Sequence, residues 1–342
     1  MYSDAMLDSL DGLSVGDAVG AEFPVMRRSI PELLAGDVPD GPWRWTDDTE
    51  MACTVVAEIA VHGDIDRTRL AAAFARRLDR GRDYGFVTVD TLRRIREGTD
   101  WHVASAAAYD HQGSCGNGAA MRVAPLGAFY AGDPKRIVAE AIRSAQVTHL
   151  HPEGIIGAVA VALASGQAAH TRRNGIRLTP TEFVDTLLDH LDDGDTTRLI
   201  RRARTLLGVP AAEAAAELGN GSLVTAQNTV PFTIWVAATH LGDYPRAIAT
   251  CIAADGDIDT TCAIVGGIIA AHTGIGADRN GISGVPHTWL AAREPLPDWF
   301  DEIHRTRRRK NSGRIRRWLS GMSRGRTRLS SAAPNERGDN LH

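Results

Sequence analysis

The sequence predicts an all-α protein, and three observations support that prediction. Apolar residues recur at intervals of three and four along most of the chain, which is the spacing of one face of a helix. No stretch sustains the alternation of apolar and polar residues that a half-buried strand needs. Residues that favour helix starts, such as Asp66 and the pair Asp133-Pro134, stand directly before apolar segments. We therefore expect a compact bundle of many helices.

The predicted elements follow one another with short connections. Residues 5–20 predict the first helix, and residues 24–45, rich in Pro and Gly, predict a loop. Residues 153–169 are small and apolar on most sides, which predicts a buried central helix. Pro231 predicts a kink or a helix start. Further helices are predicted over residues 52–60, 67–78, 88–96, 101–109, 119–130, 179–191, 196–207, 210–218, 225–240, 245–254 and 262–269.

The composition indicates both the presence of a hydrophobic core and the cellular compartment of the protein. The 342 residues, 43% of them hydrophobic, allow one large domain or two average ones. The four cysteines stand singly, without CxxC spacing, which is typical of buried thiols in a reducing compartment. The N-terminus has no signal-peptide pattern, and we expect no uncharged run of the roughly 18 residues that a membrane span requires. These features predict a cytoplasmic protein without a membrane partner.

Charge divides the chain into two parts. Residues 301–342 hold twelve Arg or Lys against four Asp or Glu, whereas residues 1–300 are acidic. The first part predicts one domain and the second a basic, disordered tail. The tail can be a solubilising end, a nucleic-acid contact or an interaction arm. The first alternative is favoured because only Trp318 interrupts the basic residues as an aromatic.

Two acidic segments each lead into an apolar helix. The first is Thr46-Asp47-Asp48-Thr49 and the second contains Asp257, Asp259 and Thr260. Helix capping explains either segment alone, but a cap needs only one side-chain oxygen. We expect the two segments to meet. Each uncompensated carboxylate pair at about 4 Å then costs on the order of 4 kcal/mol at a dielectric near 20, so the cluster requires cations. Oxygen ligands favour magnesium, manganese or calcium.

An EF-hand is the obvious calcium-binding alternative for the second segment. Asp255, Asp257 and Asp259 copy the first half of that loop, which needs Gly at its sixth position and Glu at its twelfth. Those positions hold Thr260 and Gly266. The sequence therefore excludes an EF-hand here.

Two further polar segments have unremarkable explanations when each is taken alone. Residues 113–118 form a glycine-rich loop, which is most simply a connector, although free N–H groups at a following helix would suit a diphosphate. His149 and His151 are two residues apart, so in a helix they would not share a face, and no third nitrogen or sulfur ligand lies nearby in the sequence.

Taken together in order, five motifs resemble those of the ADP-ribosylglycohydrolase family, of the dinitrogenase reductase-activating glycohydrolase-like kind. They extend from about residue 10 to residue 275, and their joint order is much more specific than any one of them. The motifs are Gly16-Asp17-Ala18-Val19-Gly20, Thr46-Asp47-Asp48-Thr49, Gly116-Asn117-Gly118-Ala119-Ala120-Met121-Arg122, Thr148-His149 and Gly256-Asp257-Ile258-Asp259-Thr260.

The resemblance implies an orthogonal helical bundle with a dinuclear metal cleft. It implies hydrolysis of the glycosidic bond in an ADP-ribosylated protein or small molecule by a monomer. Two Mg²⁺ or Mn²⁺ ions would orient the ribose and activate the attacking water. The implied metal ligands are Thr46, Asp47, Asp48, Asp257, Asp259 and Thr260; the ligand-binding residues are Ser114, Gly116, Asn117, Gly118 and His149; and the catalytic residues are Glu22, Asp48 and Asp257.

Several alternatives stay open beside this resemblance. Glu22 follows Gly20 more closely than the matching Glu of many relatives, so a solvated side chain is the alternative to a catalytic one. Trp43 and Trp45 are either packed in the core or a stacking surface for adenine. The protein is alternatively a catalytically silent ADP-ribose binder, or a hydrolase of another nucleotide-like ligand. The acceptor can be arginine, serine, a nucleic-acid base or an acetyl ester.

Overall fold

The structure is a computed structural model that describes residues 4–276 and 281–300. The predicted tail over residues 301–342 lies outside the described residues. Within the described ranges no strand forms, and β-type pairing is limited to isolated bridges such as that between Trp43 and Arg293. The all-α prediction is confirmed.

The helices of these ranges follow the predicted order with different bounds at several ends. One 3-10 turn covers Asn117–Ala119. The α-helices are α1 (Asp4–Met26), α2 (Ile30–Ala35), α3 (Asp47–His62), α4 (Arg67–Arg77), α5 (Phe86–Arg96), α6 (Trp101–Ala106), α7 (Ala108–His111), α8 (Ala124–Phe129), α9 (Pro134–Gln146), α10 (Pro152–Asn174), α11 (Pro180–Leu188), α12 (Asp195–Thr205), α13 (Ala211–Leu218), α14 (Ala226–Thr239), α15 (Tyr244–Ala253), α16 (Ile258–Thr273) and α17 (His287–Ala292).

Helices α1 and α16 form the most extensive helix pair of the core. Three glycines of α1, four residues apart, face α16 and allow the two backbones to approach closely. A Cβ added at Gly16 would overlap the carbonyl oxygen of Cys262, and one at Gly20 would lie 2.6 Å from the Cα of Asp259. A Cβ at Gly12 would overlap both Gly266 and Ala270. Only glycine fits at these positions, and the contact leads directly to the start of α16.

Helix α10 is the buried central helix that residues 153–169 predict. It packs against α8, α9, α14 and α16. The expectation about uncharged runs is wrong, because residues 154–171 contain no Asp, Glu, Lys or Arg, and α10 is long and apolar enough to cross a membrane. However, 83% of its apolar window is buried inside the protein, as in a core helix.

The predicted helix starts are confirmed where a cap residue was identified. The Asp66 side chain accepts a hydrogen bond from Arg69 N–H, and the Asp133 side chain accepts one from Arg136 N–H. Thr46 caps α3 by accepting from Asp48 N–H. In contrast, Asp257 stands at the N-cap position of α16 without making a side-chain cap. Capping therefore accounts for Thr46 but for no carboxylate of the two acidic segments.

Two predicted boundaries are wrong for local reasons. Residues 119–130 are not one helix, because the 3-10 turn is followed by the separate short helix α8, which has Pro125 in its first turn. The loop predicted over residues 24–45 contains α2, which begins with a capping box formed by Ser29 and Glu32. Helix α14 has nearly the predicted bounds, and Pro231 lies inside it instead of starting it.

We expect the α1–α16 contact to tolerate no side chain at its centre. Gly16→Ala forces the two backbones apart and should lower the free energy of unfolding by about 1–3 kcal/mol or more. With an unfolding entropy of about 2.1 cal/mol/K per residue, each kcal/mol lowers the Tm of a domain of about 300 residues by roughly 1.5 °C. Gly242→Ala is the matched control, because a Cβ there meets no atom within 4 Å. Thermal unfolding by circular dichroism measures both, and equal Tm values for the two variants would contradict the packing argument.

Candidate functional site

A cleft with a volume of about 570 Å³ opens where the N-terminal ends of α3 and α16 meet. The two acidic segments that are far apart in the sequence form part of its wall. The glycine-rich loop and His149 form another part. The remaining lining comes from Asp83, Gly85, Phe86, Val87, Thr88, Tyr109, Met121, Leu223, Val224 and Thr225.

The first acidic segment is hydrogen-bonded to Asp17 of α1, which is fully buried. The Thr46 N–H and hydroxyl both donate to the Asp17 carboxylate, at 3.0 Å and 2.9 Å. The Thr49 N–H and hydroxyl also donate to it, at 3.1 Å and 2.5 Å. One carboxylate of α1 therefore fixes the backbone at the start of α3 and directs Asp47 and Asp48 toward the cleft.

A second support reaches the same segment from outside. The Arg82 guanidinium stacks on the Trp45 ring, 3.4 Å from its centroid, and donates to the Trp45 carbonyl oxygen at 3.0 Å. Arg82 also makes a bidentate ion pair with Glu294, at 2.7 Å and 2.9 Å. The Asp47 N–H donates to the Arg82 carbonyl oxygen. This Trp45–Arg82–Glu294 contact fixes the chain immediately before Asp47.

The two tryptophans before this segment are packing residues. Trp43 and Trp45 are buried, and their indole N–H groups donate to the carbonyl oxygens of Pro39 and Pro295, both at 3.1 Å. Neither ring lines the cleft. The structure therefore favours core packing over an adenine-stacking surface.

The second acidic segment lies beside the glycine loop. The Asn117 amide donates to the Asp257 carboxylate at 2.7 Å and to the Thr229 hydroxyl at 3.1 Å. The Asp259 carboxyl is close enough to Asp257 to interact with it electrostatically. The Asp257 N–H donates to the Asn220 carbonyl oxygen. The start of α16 is thus tied both to the glycine loop and to the segment around residue 220.

Bringing these carboxyls together has a large electrostatic effect. Burial and repulsion from neighbouring carboxylates, first of all Asp17, hold the pKa values of Asp47 and Asp48 well above their usual range. Burial raises the pKa of Asp17 to about 7, and burial together with Asp259 raises the pKa of Asp257 to about 7. The cluster binds either protons or cations near neutral pH.

The unsatisfied oxygens of the first segment fit a hard cation. Oδ1 of Asp48 is buried and has no hydrogen-bond partner. The Thr46 hydroxyl oxygen lies 2.9 Å from Asp17 and 3.0 Å from Asp48, and its single proton cannot satisfy both carboxylates at once. As the side chains stand, no three His, Cys, Asp or Glu of the described ranges surround one ion position. The donor set, all oxygen and mostly carboxylate, nevertheless suits Mg²⁺ or Mn²⁺.

The glycine loop is less open than the sequence suggests. The Gly116 N–H donates to the Ser114 hydroxyl at 3.1 Å, and the Asn117 N–H donates to the Val224 carbonyl oxygen at 3.2 Å. A single 3-10 turn follows instead of the expected helix. A diphosphate seat built from free N–H groups at a helix start is therefore not what this loop offers through Gly116 and Asn117.

The two neighbouring histidines have separate surroundings. His149 is buried in the cleft wall against the glycine loop, whereas His151 is the N-cap of α10 and its Nδ1 accepts from Glu153 N–H at 3.2 Å. This agrees with the sequence argument that the pair does not act as one metal site.

Most of the predicted site residues lie together, and two stand apart from the lining. Thr46 lies beneath the cleft between Asp17 and Asp48. Glu22 does not line the cleft, and its Oε1 accepts a hydrogen bond from Arg44 N–H at 3.3 Å. The cleft lining includes Ser114, Gly116, Asn117, Gly118, His149, Asp47, Asp48, Asp257, Asp259 and Thr260.

Sequence reasoning assigned no role to Asp17 or Arg122, although both belong to quoted motifs. The available signal was a charged residue between small or apolar neighbours. Gly16 and Ala18 flank Asp17, and Met121 and Val123 flank Arg122. A charge in such a setting is buried only with partners. For Asp17 those partners are the two threonines of the first acidic segment.

Comparison with known proteins agrees with the five-motif resemblance. The sequence model of the family described as ADP-ribosylglycohydrolase matches residues 1–318. ADP-ribosylhydrolase ARH3 of Xenopus tropicalis is 28% identical, over 86% of this chain and 93% of that protein. ADP-ribosyl-dinitrogen reductase glycohydrolase of Rhodospirillum rubrum is 26% identical, over 84% of this chain and 90% of that protein.

A solved structure gives the same result for the fold. The chain matches one described as an ADP-ribosylglycohydrolase-related protein complex with a TM-score of 0.55 and 22% identity, over 88% of this chain and 94% of that one. At this identity the likeness concerns the fold alone. Because the family match extends from residue 1 to residue 318, this chain belongs to the ADP-ribosylglycohydrolase family.

Proposed function

We propose that this protein is a metal-dependent hydrolase that cleaves the glycosidic bond between ribose and the acceptor of an ADP-ribosylated substrate. Its relatives include proteins named as an ADP-ribosylhydrolase and an ADP-ribosyl-dinitrogen reductase glycohydrolase, which supports hydrolysis of ADP-ribose linkages. The single observation that carries the metal-dependent activity is the meeting of the two acidic segments in one cleft, with Oδ1 of Asp48 buried and unpaired.

Two Mg²⁺ or Mn²⁺ ions are the proposed cofactors. Their proposed ligands are Thr46, Asp47, Asp48, Asp257, Asp259 and Thr260. When bound, such ions lower the pKa of a coordinated water and orient the ribose hydroxyls. Thr46 has the weakest support among these ligands, because its hydroxyl already lies between Asp17 and Asp48.

The protein's own residues supply proton transfer and positioning. A carboxylate has two oxygens, so Asp48 and Asp257 can each give one to an ion and keep the other for the proton of the attacking water. Asn117 holds the Asp257 carboxylate through its amide N–H group. Ser114, Gly116, Gly118 and His149 form the wall proposed to bind the ADP-ribosyl group. A catalytic role of Glu22 stays a prediction.

A catalytically silent ADP-ribose binder is the second candidate. The observation that favours it is the position of Glu22, whose side chain accepts from Arg44 N–H instead of lining the cleft. Assays with arginine-, serine- and base-linked ADP-ribose and with O-acetyl-ADP-ribose, each with Mg²⁺ or Mn²⁺, separate the candidates. Release of ADP-ribose from any of them supports the enzyme, and binding of ADP-ribose without turnover of all four supports the binder.

We expect Mg²⁺ to stabilise the protein more strongly as pH rises from about 6 to about 8. Asp17 and Asp257 have pKa values of about 7 in the folded state, against an ordinary value of 3.8, so the metal-free folded protein holds more protons than the unfolded chain. Its stability therefore falls as pH rises toward 7. Protons also compete less with the ion at higher pH. At about 100 times its Kd, the ion should add about 2.7 kcal/mol to the free energy of unfolding.

Differential scanning calorimetry at both pH values, with and without Mg²⁺, measures this effect. Comparing the Tm with and without Mg²⁺ at the same pH cancels the contribution of groups that titrate without contacting the ion. A Tm increase that is equal at the two pH values, or absent at both, would contradict the role of the carboxyl cluster as an ion site.

Asp257→Asn should remove activity while its neighbour Asp255→Asn should not. Asp257 lines the cleft, whereas Asp255 is exposed and outside it, with a φ of 58° that asparagine tolerates. Both changes remove one negative charge from the same loop. We expect turnover to fall at least about 100-fold only in the first variant, and Mn²⁺ affinity to fall with it in titration calorimetry. Unchanged Mn²⁺ affinity in Asp257→Asn would exclude this residue as a ligand.

A further inference from the structure

A row of three buried side chains leads from the core to the cleft wall. Arg122 Nη2 donates to Thr148 Oγ1 at 2.9 Å, and Thr148 Oγ1 lies 2.7 Å from His149 Nδ1. All three residues are almost fully buried, with exposures of 0%, 2% and 3%. The imidazole is the last member of the row and the one that reaches the cleft.

The direction of these hydrogen bonds follows from the number of protons. A guanidinium only donates, so Thr148 Oγ1 is the acceptor of the first bond. Its hydroxyl proton then needs an acceptor, and within the described residues the only other partner of Oγ1 is His149 Nδ1. Were Nδ1 protonated, it would donate to Oγ1 and leave the hydroxyl proton buried without a partner, which costs roughly 1–3 kcal/mol. Nδ1 is therefore the acceptor.

The other ring nitrogen then carries the proton. The imidazole is neutral at physiological pH, because burial and the nearby Arg122 charge lower the pKa of His149 to about 3. Its Nε2 faces the glycine loop, where Cβ atoms added at Gly116 and Gly118 would lie 3.3 Å and 3.2 Å from it. An Nε2–H group at this place suits an oxygen of a ligand, whereas the other tautomer would present a lone pair to it.

Arg122 is buried without a carboxylate in contact with it. None of the ion pairs in residues 4–276 and 281–300 includes it, and its Nε has no hydrogen-bond partner. Its other contacts are the carbonyl oxygen of Ser144 at 2.8 Å, the sulfur of Met51 at 3.6 Å and the ring of Phe74 at 4.6 Å. A buried guanidinium with no carboxylate in contact is costly to maintain, and the more distant Asp47 charge offsets only part of that cost. Thr148 is its link to the cleft.

We propose that Arg122 and Thr148 are positioning residues that hold His149 as the neutral Nε2–H tautomer, so that the cleft presents a hydrogen-bond donor to an oxygen of the ADP-ribosyl group. The identity of the ligand rests on the proposed function. The tautomer itself does not, because it follows from hydrogen bonds within the protein.

Nuclear magnetic resonance of the full-length protein with ¹⁵N-labelled histidine tests the tautomer directly. The His149 signals are assigned by their loss in His149→Asn. Couplings between ring protons and nitrogens distinguish a protonated from an unprotonated nitrogen, and we expect Nε2 protonated and Nδ1 unprotonated. A wild-type protein with Nδ1 protonated would overturn the proposal without any variant being needed.

Two matched variants test the role of the hydroxyl. Thr148→Val keeps the shape and removes the donor, so His149 should lose its single tautomer, and affinity for free ADP-ribose should fall about tenfold, the effect of one hydrogen bond. Thr148→Ser restores the hydroxyl and should restore both. An unchanged Nε2–H tautomer in folded Thr148→Val would overturn the assignment of Thr148. Arg122→Met is the second variant, because it keeps an unbranched side chain and removes the charged donor. An unchanged His149 spectrum together with unchanged ADP-ribose affinity in folded Arg122→Met would overturn the assignment of Arg122.

The test of the His149 tautomer and the test of the proposed function can fail independently of each other. A protein with the expected tautomer that neither hydrolyses nor binds ADP-ribose would contradict the proposed function and the ligand of the Nε2–H group, but not the positioning of the imidazole. A protein that hydrolyses ADP-ribosylated substrates with the opposite tautomer would contradict the positioning alone.

Discussion

The close approach of α1 and α16 is the contact on which the cleft depends. It requires glycine at positions 12, 16 and 20, because a Cβ at any of them would overlap α16. The same approach places Asp17 of α1 near Asp259 of α16, and each affects the titration of the cluster. Asp17 then holds Thr46 and Thr49 at the start of α3. One backbone contact thus joins two segments from opposite ends of the chain.

Buried groups of both charge signs lie in or near the cleft wall. The carboxyls of the two acidic segments repel one another, and their raised pKa values reflect this repulsion together with burial. Arg122, buried behind them, interacts favourably with Asp47 and unfavourably with a charged His149. One cation in the core therefore has two consequences. It interacts favourably with the Asp47 carboxylate, and it adds to the larger effect of burial in lowering the pKa of His149 where a ligand would be bound.

The sequence predicted the helical class, the central helix and the convergence of the acidic and glycine segments, because these depend on periodicity and on a set of motifs in fixed order. It did not predict the role of Asp17, since a carboxylate that binds the backbone of a distant loop leaves no local pattern. The break between the 3-10 turn and α8 was missed although Pro125 marks it. Likewise, Ser29 and Glu32 had the spacing of a capping box inside a segment whose composition suggested a loop.

The Trp45–Arg82–Glu294 contact limits how far the chain can be shortened. Glu294 binds Arg82, and the carbonyl of Pro295 accepts from the Trp45 indole, so residues late in the chain support the segment that carries Asp47. A fragment ending before residue 294 would keep every proposed metal ligand and yet lose the Arg82–Glu294 ion pair and the Trp45 indole hydrogen bond, which fix the first acidic segment. The smallest fragment with an intact cleft therefore ends beyond Pro295, well after the last residue that lines it.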